Sequence, residues 1–268
     1  MNLRELLVAS VRLRCADVLD TKVERFIRPS EREQGVSSFS VAVLENGSIG
    51  VSYNLFHRDA CELARFREWD LGRVVGRLSG EAARLFLSED ALEKTAGLAV
   101  LNALSQDYIR RNPGAYRLDF KTDIADLAGL DSSSTVGLVG YFTPMIPALT
   151  KHSGKVIVLE KDKGLLAGTY PFTMTDDPRA LESCDSVLIT ATTVLNDTLP
   201  GLLPFCKSSR MTAVMGPSAG FLPDALFELG VHAVGGTWID DPKLFLDRFE
   251  SGVKWGDSTR KFWFLQGS

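Results

Sequence analysis

The chain has 268 residues, 45% of them hydrophobic, with 30 basic against 34 acidic side chains and a formal charge of -4. This suits a globular protein of two modest domains or one large one, with a core that needs no covalent staples. The balanced charge implies no dominant basic face for nucleic acid, and four scattered cysteines without a CxxC pair argue for reduced thiols rather than a disulfide framework.

Residues 2–19 read as an amphipathic helix, with Leu3, Leu6, Leu7, Val11, Ala16 and Leu19 as its apolar stripe. The opening segment lacks the apolar stretch and cleavage pattern of a signal peptide. No apolar run reaches the roughly 18 residues of a membrane helix. A cytoplasmic protein is therefore expected. The charged segment Arg25–Gln34, with Pro29, ends the first helix. Two β-like runs follow, Ser38–Leu44 and Ile49–Asn54, around Glu45-Asn-Gly-Ser48. Asn-Gly is a strong hairpin signal, because both turn positions favour positive φ.

His57 and Cys61 are four apart with Glu62 beside them, but no third ligand stands at a conventional metal spacing. The arginine-rich strip Arg65–Arg84 is interleaved with Glu62, Glu68, Asp70 and Glu81, which reads as a solvated helical surface. Ser88 is placed to cap a helix running to about Tyr108, with acidic residues in its first turn. Gly97 weakens that helix, so close packing is its expected compensation. These elements form a helix–hairpin–helix domain over residues 1–114, and residues 115–134, with a short helix at Thr122–Leu130, lead into the second domain at 115–268.

There, strands at Val136–Gly140, Lys155–Glu160, Ser186–Thr190, Arg210–Val214 and Ala233–Gly235 alternate with helical stretches near Pro178–Ser183, Asn196–Cys206, Pro223–Leu229 and Pro242–Gly252. Near-continuous apolar strands between helices indicate a parallel sheet covered on both faces. Such sheets hold ligands at the carboxyl ends of their strands. That rule nominates Gly140, Tyr141, Phe142 and Thr143 after the first strand, Glu160 at the end of the second, Thr190, Thr192, Thr193, Asn196 and Thr198 after the third, and Gly216, Pro217 and Ser218 after the fourth. Gly235, Gly236, Asp240 and Asp241 follow the fifth.

Gly140 and Gly216 permit tight turns or close backbone approach. Thr143 and Asn196 are candidate helix caps, with Pro144 at the favoured first helical position and Pro147 delaying or distorting the helix. Glu160 follows Gly140 by 20 residues, the approximate spacing of the ribose-binding acid of dinucleotide sites. Yet Val139-Gly-Tyr-Phe-Thr-Pro144 is not GxGxxG: Phe142 fills a position that needs a small residue, and Pro144 has no N–H. Glu160 is thus open to two readings, a ligand contact or a strand-end carboxylate. Thr190-Ala-Thr-Thr-Val-Leu-Asn-Asp-Thr198 supplies neutral donors and acceptors suited to a polar ligand or an anion; capping and local turns are the competing use. His152 and His232 lie toward the opposite sheet edge, and no Ser–His–acid set assembles.

Two parts of the chain resemble the two-domain family described as "putative heavy-metal chelation" proteins of unknown function. One is Lys94-Thr-Ala-Gly-Leu-Ala-Val-Leu-Asn-Ala-Leu104. The other combines Val139-Gly-Tyr-Phe-Thr-Pro144, Thr190-Ala-Thr-Thr-Val-Leu-Asn-Asp-Thr-Leu199, Gly216-Pro-Ser218 and Gly235-Gly236. The resemblance implies an amino-terminal α/β domain similar to the enolase amino-terminal domain, a Rossmann-like, mostly parallel three-layer second domain, and metal handling. Its strand-end motifs fall on Phe142, Glu160, Thr192, Asn196 and Ser218. Glu160, Asp240 and Asp241 are the oxygen donors that suit a hard cation; a metal already held by a small organic chelator is the other form of cargo.

The leading expectation is a cytosolic protein binding a small molecule or metal complex, with no nucleic-acid or membrane partner. The alternative is an enzyme using a nucleotide-containing cofactor or small acidic substrate in the same crevice, with Thr192, Asn196 and Ser218 orienting it. A structural role is the third class, in which Phe262, Trp263 and Phe264 cover a groove, a partner or the monomer's own core. Homodimerisation is a general prior.

Overall fold

The computed structural model describes residues 1–29, 38–57 and 59–267. A three-stranded antiparallel sheet forms from β1 (Val23–Ile27), β2 (Phe39–Leu44) and β3 (Ile49–Tyr53), in that order. The Asn-Gly turn joins β2 to β3 where the sequence places it, with Gly47 at φ 80° and Val43 paired to Ile49. β1 is an addition to the predicted elements. Glu24 and Arg25 lie exposed on it between buried Val23 and Phe26, so its charge masks a strand. The first helix spans Leu3–Arg14 and ends earlier than its apolar stripe suggests; the remainder is a 3-10 turn at Ala16–Val18. Residues 30–34 of the charged breaker lie outside the described residues.

A 21-residue central helix, Ala91–Arg111, packs across β2 and β3 and is buried on nearly every side. Its cap is Asp90, not Ser88: the Asp90 carboxylate accepts from Leu92 N at 2.9 Å and Glu93 N at 3.1 Å, while Ser88 Oγ accepts from Asp90 N. A carboxylate placed one residue before the first helical turn reaches two free amides at once. Gly97 is explained by proximity, since a Cβ there would stand 2.0 Å from Phe86 N. Gly50 on β3 repeats the device, with a Cβ position 2.0 Å from Ala99 O of the central helix. The other face of β2 and β3, through Val41, Val43, Ile49 and Val51, packs on Phe245 and Phe249 of the helix Pro242–Glu250.

The second sheet has eight strands: β4 (Arg117–Asp119), β5 (Thr135–Val139), β6 (Lys155–Leu159), β7 (Thr173–Thr175), β8 (Ser186–Thr190), β9 (Met211–Met215), β10 (Ala233–Ile239) and β11 (Thr259–Leu265). Their order is β4-β11-β10-β9-β8-β5-β6-β7. From β7 to β10 every neighbouring pair is parallel, and counted from β5 the order is 3-2-1-4-5-6, the doubly wound Rossmann-like arrangement. β10 then pairs antiparallel with β11, and β11 with β4. Phe262 and Phe264, with Trp263 on the opposite face, are therefore buried inside this sheet's own packing. The fifth predicted strand is longer than its sequence signal because β11 pairs along all seven of its residues.

Alternation along β6 serves both faces. Val156 and Val158 enter the cluster with Leu149, whereas Ile157 and Leu159 join a cluster that also holds Leu3, Leu98 and Phe262. That second cluster runs unbroken from the first helix through the central helix to β11.

Candidate functional site

The strand order reverses at β5, which lies between β6 and β8. Ligand crevices in such sheets open at the carboxyl ends on either side of the reversal. Gly140 turns the chain there at φ 87°, and its N–H donates to Leu159 O. A Cβ at Gly140 would lie 2.9 Å from Thr190 Cγ2, so the glycine sets β5's exit directly against that of β8. Gly216, at φ 141°, turns the chain after β9; there the backbone conformation favours glycine, since a Cβ would meet Ala191 only at an ordinary 3.5 Å. Phe142 is 48% exposed at this edge.

Thr143 does not cap a helix. It is the first residue of a 3-10 turn, Thr143–Met145, whose cap position belongs to Phe142, and no side-chain cap bond forms. The α-helix proper starts later, at Ile146, with Pro147 tolerated in its first turn. Thr143 is exposed, leaving its hydroxyl free to face solvent or a ligand.

Glu160 ties two strand exits together. One oxygen accepts from Tyr141 N at 2.9 Å; the other accepts from Lys161 N at 2.7 Å and Asp162 N at 3.1 Å. A half-exposed carboxylate so occupied shapes the crevice rim and offers a ligand only its remaining lone pairs.

In the threonine-rich turn, Thr190 Oγ1 accepts from Thr192 Oγ1 at 3.1 Å, while buried Thr193 donates to Thr190 O at 2.7 Å. Thr190 and Thr192 are half-buried at the carboxyl end of β8. Asn196 is not an N-cap. It closes the helical turn Thr192–Leu195 as the C-cap, and its exposed side-chain oxygen accepts from Thr198 Oγ1 at 2.6 Å. The next helical turn begins only at Leu199, because Asp197 takes a left-handed conformation at φ 60° that breaks the run.

Ser218 is placed differently from its strand-end neighbours. It is 2% exposed and accepts the backbone N–H of Tyr53 at 2.8 Å. Tyr53 N belongs to the edge of β3 that faces away from β2, as does Val51 O. The latter accepts from Asn102 Nδ2 at 2.7 Å, and the same amide donates to Ser218 O at 2.9 Å. Ser218 and Asn102 thus satisfy a sheet edge that would otherwise stay unpaired.

The sequence reading missed three charged residues beside the crevice. Lys94 Nζ donates to Asp197 Oδ2 at 3.0 Å. Arg4 Nε lies 2.8 Å from Asp197 Oδ1 as an ion contact, its N–H misaligned for a hydrogen bond. Arg4 also donates to Phe86 O, Ser88 O and Glu89. Both cations are over nine-tenths buried, so the first helix and the central helix together grip the loop that carries Asn196. Lys94 heading an otherwise small and apolar helical run was the available signal; Arg4 offered none, sitting in a patchy amphipathic stripe.

The carboxylates Glu160, Asp240 and Asp241 do not gather around a cation. β6 and β10 are separated by three intervening strands, about 19 Å at roughly 4.8 Å per strand. Asp240 is held by Arg260 in a two-pronged pair, both contacts 2.7 Å, and Asp241 caps the helix Pro242–Glu250 by accepting from Leu244 N. His57 accepts from Tyr53 Oη at Nε2, or donates to it, at 3.2 Å, while its Nδ1 meets Asn54 O; Cys61 is exposed near the start of the next helix. Among the described residues no group of three or more His, Cys, Asp and Glu side chains is arranged to hold a metal ion. Burial raises the thiol of Cys15 to about 12 and those of Cys184 and Cys206 to about 11, opposing the thiolate that soft metals need.

The chain is 29% identical over 188 residues to the uncharacterized protein MJ0500 of Methanocaldococcus jannaschii, covering 65% of this chain and 67% of that one. Its fold matches a protein of unknown function (PH1506) from Pyrococcus horikoshii with a TM-score of 0.71 at 18% identity, over 97% of this chain and 100% of the other. A protein of unknown function from Desulfitobacterium hafniense matches with a TM-score of 0.70 at 20% identity, over 97% and 98% of the two chains. Residues 36–105 match one family, DUF4213, and residues 123–265 a second, DUF364, and with both carrying the description "Putative heavy-metal chelation" the chain belongs to that family.

Proposed function

We propose that this protein binds a small metal complex, a cation already wrapped by an organic chelator, in the crevice at the carboxyl ends of β5 and β8. The observation that carries this reading is the pairing of a family described by metal chelation with a crevice rim of hydroxyls, an exposed phenylalanine and a backbone turn. A bare ion needs several convergent anionic or imidazole ligands, and no such group is arranged among the described residues. A chelator brings those ligands itself. Thr190, Thr192 and Thr143 would then meet its polar edge, and Phe142 would cover an apolar one. Asn196 approaches the same ligand from the loop held by Lys94 and Arg4. Among the described residues no helix is long and apolar enough to cross a membrane; a cytoplasmic cargo is part of the proposal itself.

Equilibrium dialysis of the full chain against nickel or cobalt ions, each with and without a small chelator such as citrate or histidine, tests this directly. Retention of metal and chelator in equal amounts, reduced by Thr192→Val and Phe142→Ala, is the expected result. Equal retention of the bare ions, or failure of every chelate to bind, would overturn the proposal.

A further inference from the structure

At the other end of the sheet, where β9 and β10 begin, a second cavity of about 440 Å³ opens. Its size lies within the roughly 300–1,000 Å³ of small-molecule sites. Pro200, Leu203, Pro204 and Leu229 give it apolar walls, and Lys207 and His232 give it polar ones. Leu229 is 40% exposed here, an outlay of apolar surface that nothing in the monomer covers among the described residues.

The polar side is organised by the backbone. Thr212 N donates to His232 Nδ1 at 3.0 Å. With Nδ1 serving as acceptor, the neutral ring carries its proton on Nε2. No protein acceptor for Nε2 is found among the described residues, so this N–H is available to a ligand. Ser209 Oγ donates to Cys206 O at 2.6 Å and lies 2.8 Å from Thr212 Oγ1. Those hydroxyls hold the floor of the cavity and leave ligand recognition to His232 and Lys207. Lys207 is exposed, and no anionic partner for it is found among the described residues. One cation, one neutral N–H donor and a wall of proline and leucine together match a single negative charge on an apolar body.

We infer that this cavity is a second ligand site, for a small organic monocarboxylic acid with an apolar chain or ring, separate from the strand-end crevice. The carboxylate meets the Lys207 ammonium and the His232 Nε2–H, and the apolar body lies against Pro200, Leu203, Pro204 and Leu229. The site is independent of the metal-complex reading, since it occupies the opposite edge of the sheet.

Proton–nitrogen correlation spectra of the full chain, titrated separately with octanoate, octanol and inorganic phosphate, test the assignment. Octanoate is expected to move the Thr212 amide and the His232 ring signals in a saturable way. Lys207→Met, at an exposed position that leaves the fold intact, is expected to weaken octanoate about tenfold, as loss of a charge-assisted contact does. Octanol or phosphate binding as tightly as octanoate would overturn the proposal. So would unmoved His232 and Thr212 signals, or an octanoate affinity unchanged by Lys207→Met.

Discussion

Tyr53 and Ser218 are joined by a 2.8 Å hydrogen bond from the backbone N–H of one to the hydroxyl oxygen of the other, across 165 positions of sequence. It links the free edge of β3 to the turn after β9. Ser218→Ala removes this acceptor from a part-buried N–H, a loss of about 1 kcal/mol, the net worth of a typical hydrogen bond. Urea denaturation should show a lower midpoint with an unchanged slope. A variant as stable as the parent would show that Tyr53 N finds another partner.

Asp197→Asn probes the charges beneath the crevice loop. Asparagine tolerates the left-handed backbone at this position, so the substitution isolates the carboxylate. Its removal leaves Arg4 and Lys94, whose side chains are only 7% and 10% exposed, without their shared anion. Breaking a buried pair costs about 3–5 kcal/mol; the Asp197 side chain is 44% exposed, which reduces the expectation to about 2 kcal/mol by solvent screening. Lys94→Met combined with Asp197→Asn should recover part of that loss in the same denaturation assay.

Gly140→Ala places a Cβ on a backbone at φ 87° and 2.9 Å from Thr190 Cγ2. The left-handed conformation alone costs a non-glycine residue about 1–2 kcal/mol, and the contact pushes the β5 and β8 exits apart. Thermal unfolding should fall accordingly, and retention of a chelated metal in dialysis should drop further than stability alone accounts for.

The thiols make a pH-dependent prediction. An aromatic disulfide reagent at neutral pH should modify Cys61 quickly and the buried Cys15, Cys184 and Cys206 only after denaturation. Burial is the largest cause of the raised values of all three buried thiols. A folded-state value above the unfolded one favours the native state at low pH, and that contribution is lost as pH rises. Stability should therefore decline from about pH 9, the ordinary thiol value, through the folded values near 11 and 12. Replacing the three buried cysteines with alanine should flatten that decline.

Local chemistry made much of the fold legible. Asn46-Gly47 marked its hairpin, and alternating apolar strands and helices marked the parallel sheet. Gly97 advertised a close approach that the structure places against Phe86. What escaped depends on partners distant in sequence. β1 and β4 are short and charged, and each is a strand only because β2 or β11 lies beside it. Thr143 and Asn196 carry cap-forming side chains, but Pro144 and the left-handed Asp197 shift the helix starts past them. Ser218 followed the strand-end rule in position, yet its side chain was claimed by β3. No local pattern discloses that Asn102 spans two backbone carbonyls, one on β3 and one in the turn after β9.

Asn102 and the two glycine contacts carry a mechanical consequence. With Gly50 seated against Ala99 and Gly97 against Phe86, a slide of the central helix by one position would drive a side chain into backbone. The amide of Asn102 meanwhile fastens that keyed helix to both Val51 and Ser218. The glycine contacts thus fix the central helix within its own half, and the amide of Asn102 carries that fixed helix across to the turn after β9. If a ligand binds at the strand ends as proposed, its exchange should follow rearrangement of the short segments around Phe142 and Asn196, on a timescale faster than that of whole-domain movement.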